Sequence, residues 1–453
     1  MSKILRIVNT NNITDEKSVE NLFSIENLIA LSDLHTYDKC GVKKIDAASF
    51  VHGFLEMFQE GKNCLRTLCL KIGVRADNKV IKKTSLESRF NRRTFGFVVA
   101  LLQQVMQTKV QDIDGKNASN PLTNSILSKF NDVLLADSTC QALPNNLADA
   151  FPSSSNQTGK VTATARIQLI YNYTQKAFAY IDLGHYREND QSSSDNILDI
   201  AKAGNLVIRD LGYFSLTVFM KMIQLGIFFL SRLICHVSVY DVKTEKRINL
   251  LELFKGKKEI DMLVKLGYTQ KLEVRLVARK LPVHIANQRI EKARKEQKKN
   301  SNRSEDYYKL LEWEIFITNV SKEVLSLAEI SHLYQLRWFI EIIFKTWKSH
   351  FNFKKVLNIK GMSYYRAIIT IVLMLVKITY AFTHLFIHID NEVQKKYNKL
   401  LSPLKFLDVI DSLWTSIIKV KTLKELDFLI PQFAAHATYE TRIKQINIRI
   451  KYI

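Results

Sequence analysis

Apolar and polar positions alternate with period two through Val161-Thr162-Ala163-Thr164-Ala165-Arg166-Ile167-Gln168-Leu169 and again through Ala177-Phe178-Ala179-Tyr180-Ile181-Asp182-Leu183. That alternation predicts two strands with one buried face each, paired across residues 172–176. Val133-Leu134-Leu135-Ala136 reads as a short apolar strand ending at Asp137-Ser138-Thr139, and Asn205-Leu206-Val207-Ile208 as a buried strand ending at Arg209-Asp210. A helix is expected over residues 194–203 and a fifth strand over 226–232. Upstream, residues 1–128 carry helical spacing, notably at 50–58 and 95–106. Between those two stretches, a short helix at 65–70, a polar turn, and a second helix capped by Thr84 or Ser85 would suit a helix-turn-helix. Arg89, Arg92 and Arg93 on that second helix are then DNA contacts or a solvated face. Strand-like segments recur at 272–279 and 313–318, and helical spacing returns at 404–418.

The segment Tyr334-Gln335-Leu336-Arg337-Trp338-Phe339-Ile340-Glu341-Ile342-Ile343-Phe344-Lys345-Thr346-Trp347-Lys348 predicts a helix of a different kind. At about 100° per residue, Tyr334, Arg337, Glu341 and Lys348 fall at roughly 0°, −60°, −20° and −40°, with Lys345 near +20°. All five polar side chains share one narrow stripe. Apolar residues cover nearly every other direction, the pattern of a helix packed on most sides. Charges carried into such a setting persist when they are paired or bind something. The stripe is therefore either a structural Arg337 to Glu341 ion pair or part of an active site.

Composition narrows the partners. In 453 residues, 47% are hydrophobic, enough for a proper core and several domains. Lysines and arginines number 66 against 44 acids, a net charge of +22, which points to a polyanion such as nucleic acid, with an anionic membrane surface as the competitor. Five scattered cysteines, none in a Cys-x-x-Cys pair, suggest neither a disulfide framework nor a zinc site, and fit a reducing cytoplasm. The N-terminal apolar run is too short for a secretory signal. Residues 367–387 are apolar enough to invite a membrane reading, but Lys377 and His384 interrupt them, and a core helix is expected there. Residues 289–303 form a basic run that includes Lys295, Lys298 and Lys299, read as a solvated loop or a DNA-contacting arm.

Asp137 and Asp210 are both placed at the C-terminal tips of short strands, and Glu341 on a helix that would pack beside them. Three converging carboxylates repel one another unless cations neutralise them. Hard divalent ions such as Mg²⁺ suit oxygen ligands and keep open positions for phosphate oxygens. Two such ions about 4 Å apart can promote cleavage and rejoining of a phosphodiester.

The order of three strands, a helix and a fourth strand resembles the opening of a ribonuclease H-like fold. Tyr334, Arg337, Glu341 and Lys348 match the Tyr-(2)-Arg-(3)-Glu-(6)-Lys signature of bacterial insertion-sequence transposases of the DDE type. Leu135-Ala136-Asp137-Ser138-Thr139 and Ile208-Arg209-Asp210-Leu211-Gly212-Tyr213-Phe214-Ser215 resemble that group's first and second aspartate motifs. The resemblance implies an α/β (α+β) chain whose ribonuclease H-like catalytic core, residues 129–234 and 321–390, is interrupted by a β-rich insertion at 235–320. A helical DNA-binding domain at 1–128 and a helical region at 391–453, for dimerisation or DNA-end contact, would complete it. It further implies Asp137, Asp210 and Glu341 as catalytic metal ligands for two Mg²⁺ ions, with Mn²⁺ able to substitute. Tyr334, Arg337 and Lys348 would grip phosphates, with Lys345 beside them on the stripe. Trp313 falls where some relatives place a tryptophan against an unstacked base, although a tryptophan packed in a strand's core is the alternative. The implied partners are double-stranded DNA, as terminal inverted repeats and as target, and a second copy of the chain, with no membrane and a cytoplasmic, nucleoid-associated location. A catalytically inactive DNA-binding descendant is the competing reading.

Overall fold

The computed structural model describes residues 4–9, 22–37, 44–60, 64–108, 126–155, 161–296, 303–349, 353–357, 359–417, 420 and 422–439. The chain begins with β1 (Leu5–Val8) and helices α1 (Ile25–Leu34), α2 (Ala47–Gln59), α3 (Leu65–Arg75), α4 (Lys83–Glu87) and α5 (Arg92–Gln107). Strands β2 (Val133–Leu143), β3 (Pro152–Ser155), β4 (Val161–Asn172), β5 (Ala177–His185) and β6 (Leu206–Arg209) follow. After α6 (Leu216–Gln224) come β7 (Phe228–Arg232), β8 (Val239–Asp241), α7 (Leu250–Phe254), β9 (Glu259–Leu266), β10 (Leu272–Lys280), α8 (Val283–Lys295), α9 (Glu305–Leu310) and β11 (Trp313–Thr318). The remainder is helical: α10 (Leu327–Gln335), α11 (Arg337–Ser349), α12 (Phe353–Leu357), α13 (Tyr364–Tyr380), α14 (Phe386–Tyr397), α15 (Pro403–Ile417) and α16 (Ile430–His436). These elements form two units, each discontinuous in sequence. One takes the described residues of 1–120, 138–188 and 339–448, the other those of 121–137 and 189–338.

In the first unit the alternating segments pair as expected. β4 and β5 are antiparallel, with Ile167 opposite Leu183 and Leu169 opposite Ile181. β1 adds to the other edge of β5, Leu5 opposite Leu183, a four-residue strand too short for its periodicity to register in the sequence. Residues 367–387 form the core helix of this unit: α13 is buried from Arg366 to Tyr380 and continues through a π-helical turn, Ala381–Leu385, into α14. The most apolar window of this 34-residue helix is wholly enclosed by protein. Lys377, fully buried on it, donates to Asp411 Oδ1 at 3.1 Å and lies 4.6 Å from the Trp414 ring centroid. Burial pulls the Lys377 pKa down to about 8, against the opposing pull of Asp411.

The second unit is built on a sheet of order β2-β6-β7-β11-β10-β9-β8. β2, β6 and β7 are parallel, with Leu135 beside Ile208 and Ile208 beside Leu230. The β-rich segment returns through β11, antiparallel to β7 with Ile317 opposite Ser231, and so extends the same sheet. Two expectations differ here. The helix expected over 194–203 is a 3-10 turn, Ser194–Asp199, because the Ser194 hydroxyl bonds to the Tyr213 carbonyl instead of capping a helix. The basic run begins as helix α8 and not as a loop: Ala286 and Ala293 are buried on one face, and Arg289 pairs with Glu314 at 3.0 Å.

Candidate active site

The parallel pairing of β2 with β6 runs to Ala136 beside Arg209, so the next residues, Asp137 and Asp210, leave the two strands abreast. Residues abreast on parallel strands point to the same side of the sheet. Only Asp210 stands at a strand tip. Asp137 lies inside β2, which continues to Leu143 through the β-branched Thr139, and Ser138 accepts a hydrogen bond from Arg166 at 3.0 Å. The polar residues that look like the end of a strand are therefore its continuation.

Asp210 is anchored from behind. Arg209, 3% exposed, donates from Nη1 to the Ser194 carbonyl at 2.6 Å and to the Ser194 hydroxyl at 3.1 Å, and lies against the rings of Tyr213 and Phe219. Burial lowers its pKa to about 10, so it keeps its charge at neutral pH. In front, Arg337 Nη1 is 3.9 Å from the half-exposed Asp210 carboxylate. A cation at that distance offsets part of the repulsion between two neighbouring carboxylates.

The expected single helix from Tyr334 to Lys348 is divided at Leu336, whose N–H bonds back to the Leu333 carbonyl. Tyr334 therefore ends α10 and Arg337 begins α11. Leu336 keeps helical dihedrals, φ −57° and ψ −27°, so the polar stripe survives the break. Tyr334 is 4% exposed; its ring packs on Phe316 at 4.9 Å, with the guanidinium carbons of Arg232 and Arg337 at 5.2 and 5.7 Å. Burial pushes the Tyr334 pKa up, and the two arginines oppose that shift. Glu341 is half-buried one turn beyond Arg337 on α11, in the part of the helix that belongs to the first unit. Lys345 and Lys348 are exposed further along the same helix.

Trp338 differs from its expected setting, whereas Trp313 takes the packed alternative. Trp338 is 59% exposed, 5.8 Å from the Arg337 guanidinium, where the periodicity had placed it on a packed face. Trp313 is 7% exposed and stacks on Phe254 at 4.4 Å. It also lines a cavity of about 510 Å³, together with Leu211, Arg232, His236, Arg289 and Tyr307.

In the helical N-terminal segment, Arg89 is not a surface contact. The short helix α4 stops at Glu87, and Arg89 turns inward to donate to the Tyr37 carbonyl at 3.0 Å and cover the Tyr37 ring at 4.6 Å. Asn91, not Thr84 or Ser85, caps the next long helix, accepting from the Arg93 and Thr94 N–H groups. Arg92 and Arg93 are exposed at its start, and Lys82 and Lys83 are exposed nearby, a pair of cations that the helix-turn-helix pattern does not single out. Lys295 is exposed in the last turn of α8, and Lys298 and Lys299 lie outside the described residues. Were this segment the DNA contact that the sequence suggests, replacing Arg92 and Arg93 by Gln would weaken DNA binding and flatten its dependence on salt by about 0.9 for each phosphate no longer neutralised. Arg89→Gln should instead lower the melting temperature and leave the salt slope unchanged, which parallel fluorescence-anisotropy titrations and thermal melts would check.

Among the described residues, no group of three or more His, Cys, Asp or Glu is close enough to hold a metal ion. The chemistry of the donors nonetheless suits one: two carboxylates that follow the last paired residues of neighbouring parallel strands are hard oxygen ligands of the kind divalent magnesium takes. A family model described as the transposase DDE domain matches residues 128–376. The chain belongs to that family. The match covers both aspartates, the β-rich segment and α11, and membership implies a ribonuclease H-like core for this mixed α/β chain. The chain is 29% identical over 301 residues to the transposase for insertion sequence element IS231F of Bacillus thuringiensis subsp. israelensis, covering 62% of this chain and 61% of the relative. It is 29% identical to the transposase for IS231B of Bacillus thuringiensis subsp. berliner, covering 63% and 62%, and 26% identical to the transposase for IS1151 of Clostridium perfringens, covering 62% of each. The chain thus spans about three fifths of the length of these relatives.

Proposed function

We propose that this protein is the transposase of an insertion sequence, which binds the terminal inverted repeats of its element and cuts and rejoins DNA with divalent metal ions. The observation that carries the reading is that Asp137 and Asp210 each directly follow Ala136 and Arg209, the last paired residues of parallel strands β2 and β6, in a chain of the DDE family. Asp137, Asp210 and Glu341 would hold two Mg²⁺ ions, for which Mn²⁺ can stand in. Bound there, the ions supply Lewis acidity that readies water or a 3′-hydroxyl for attack and eases departure of the leaving oxygen.

The chain's own residues do the rest. Arg337, held against Asp210, carries a planar set of donors suited to phosphate oxygens, and Lys348 adds a point charge about three turns further along α11. The net charge of +22 draws the duplex in and makes binding salt-dependent. Acting on two element ends calls for two copies of the chain.

Strand opening through a hairpin intermediate requires a base to leave the stack, and an aromatic platform compensates by about 1 to 3 kcal/mol. The exposed Trp338 offers such a platform, whereas Trp313 is already stacked on Phe254. Trp338→Ala is expected to slow hairpin formation with little change in stability. Trp313→Ala should cost about 3 to 5 kcal/mol of folding free energy, read by denaturant unfolding.

The test is cleavage of an end-labelled duplex carrying the element's own terminus, with and without Mg²⁺ or Mn²⁺, resolved on denaturing gels. The reading predicts a metal-dependent 3′ nick at the terminus followed by a hairpin band. Binding without cleavage would make the protein a DNA-binding descendant of a transposase, and absence of binding would overturn both.

A further inference from the structure

Helices α1 and α3 both pack against α2, and each carries an apolar row on its outer side. α1 buries Leu28 and Ser32, yet Ile25 and Ile29 are 58% and 43% exposed, and the exposed Asp33 continues their i, i+4 row. α3 buries Leu68, Cys69, Ile72 and Gly73, yet Leu70 and Val74 are 66% and 60% exposed, in a row that begins at the exposed Arg66. Aliphatic side chains exposed singly are ordinary. Two rows at the i, i+4 spacing by which helices interlock are instead surfaces that fit another helix.

Charge selects the partner. α1 carries Glu26 and Asp33 and neither lysine nor arginine, an acidic helix in a chain of net charge +22, so a phosphate backbone would be repelled from it. α3 carries cations and no acid. Lys71 is held by Glu60 at 2.7 Å and Arg75 by Glu56, whereas Arg66 has no carboxylate at ion-pairing distance among the described residues, and Asp33 has no cation there. Laid antiparallel, the two rows match residue for residue: Ile25 with Val74, Ile29 with Leu70 and Asp33 with Arg66. Both rows stay exposed within one chain, so the match is made between two. We propose that these faces join two copies of this chain, α1 of each lying antiparallel on α3 of the other about a two-fold axis. A pairing of that kind is closed and makes the contact twice. Each contact takes two aliphatic pairs out of water, and the Asp33 to Arg66 pair at its rim sets the direction. The pair forms without DNA, so its failure and the failure of the DNA-cutting reading are separate outcomes.

The experiment is sedimentation velocity of the full chain without DNA over a range of concentrations, as wild type, Asp33→Arg, Arg66→Asp and Leu70→Glu, each checked for an unchanged melting profile. Wild type should pass from monomer to dimer as concentration rises. Asp33→Arg and Arg66→Asp each set like charges against one another in both contacts, and each should raise the dimer dissociation constant by about tenfold or more. An equimolar mixture of those two variants should dimerise like wild type, because both contacts then join opposite charges. Leu70→Glu should stay monomeric alone. The mixture separates a contact between copies from damage within one, since two misfolded chains would not repair each other. A wild type that stays monomeric throughout, single variants that dimerise unchanged, or a mixture no better than its components would each overturn the pairing. So would Arg66→Asp lowering affinity for a fluorescent duplex with sedimentation unchanged, which would give the α3 face to DNA instead.

Discussion

Asp210→Asn is expected to abolish terminus cleavage, by on the order of a thousandfold or more, while leaving binding of the same DNA intact or slightly tighter. Asparagine keeps the size of the side chain and suits its place at the head of the turn Leu211–Tyr213, so the fold around Arg209 and Ser194 should not move. What changes is charge. The carboxylate removed is half-exposed and stands 3.9 Å from Arg337, the residue proposed to hold a phosphate, so its removal takes away a competing anion. The same change takes away a hard anionic ligand from the proposed metal site, and a thousandfold fall corresponds to about 4 kcal/mol of barrier. Single-turnover gels read the cleavage and anisotropy the binding. A variant that loses both in parallel would show that Asp210 acts through the fold and not through the chemistry.

Asp411→Asn should be the most destabilising conservative change in the helical core, costing about 3 to 5 kcal/mol. It removes the carboxylate that neutralises Lys377, which is wholly buried. Lys377→Met tests the same pair from the other side. Because burial lowers the Lys377 pKa to about 8 from its ordinary value near 10.5, the folded state releases this proton more readily than the unfolded chain. Below pH 8 both states are charged and the fold carries the whole penalty. Between about pH 8 and 10.5 the unfolded chain binds more protons, so stability attributable to this group rises with pH. Lys377→Met is therefore expected to be more stable than wild type at pH 7, by about 1 to 4 kcal/mol, with an advantage that shrinks towards pH 10. Denaturant unfolding at the two pH values decides it.

Much of the sheet was visible in the chain because strands with one buried face keep period two. Residues 161–183 carry that signal, and β11, buried along nearly its whole length, has the bounds its apolar run suggests. Where polar residues take part in a strand the pattern fails, which is why β2 seemed to stop at Asp137 when it runs on through Ser138 and Thr139. In α8 the charges outnumber the small buried alanines and mask a helix. Long-range order is the least visible. No local pattern tells that residues 138–188 share a unit with 339–448 while Asp137, the preceding residue, shares one with 189–338. Among the site residues, the three carboxylates and the polar stripe stood out by identity and spacing. The exposed Trp338 did not, hidden among apolar neighbours on paper.

The way β11 closes the insertion also limits how this protein can be trimmed. β11 is hydrogen-bonded along one edge to β7 and along the other to β10, so residues 235–320 are stitched into the strand ladder and do not hang from it as an appendage. Excising them to make a minimal catalytic core would strip β7 of a neighbour and bare a row of unpaired amides next to Arg232. A raw edge of that kind recruits other chains. Shortening the insertion between β9 and β10, at the turn where Gly267 adopts a positive φ of 83°, removes length without cutting that seam.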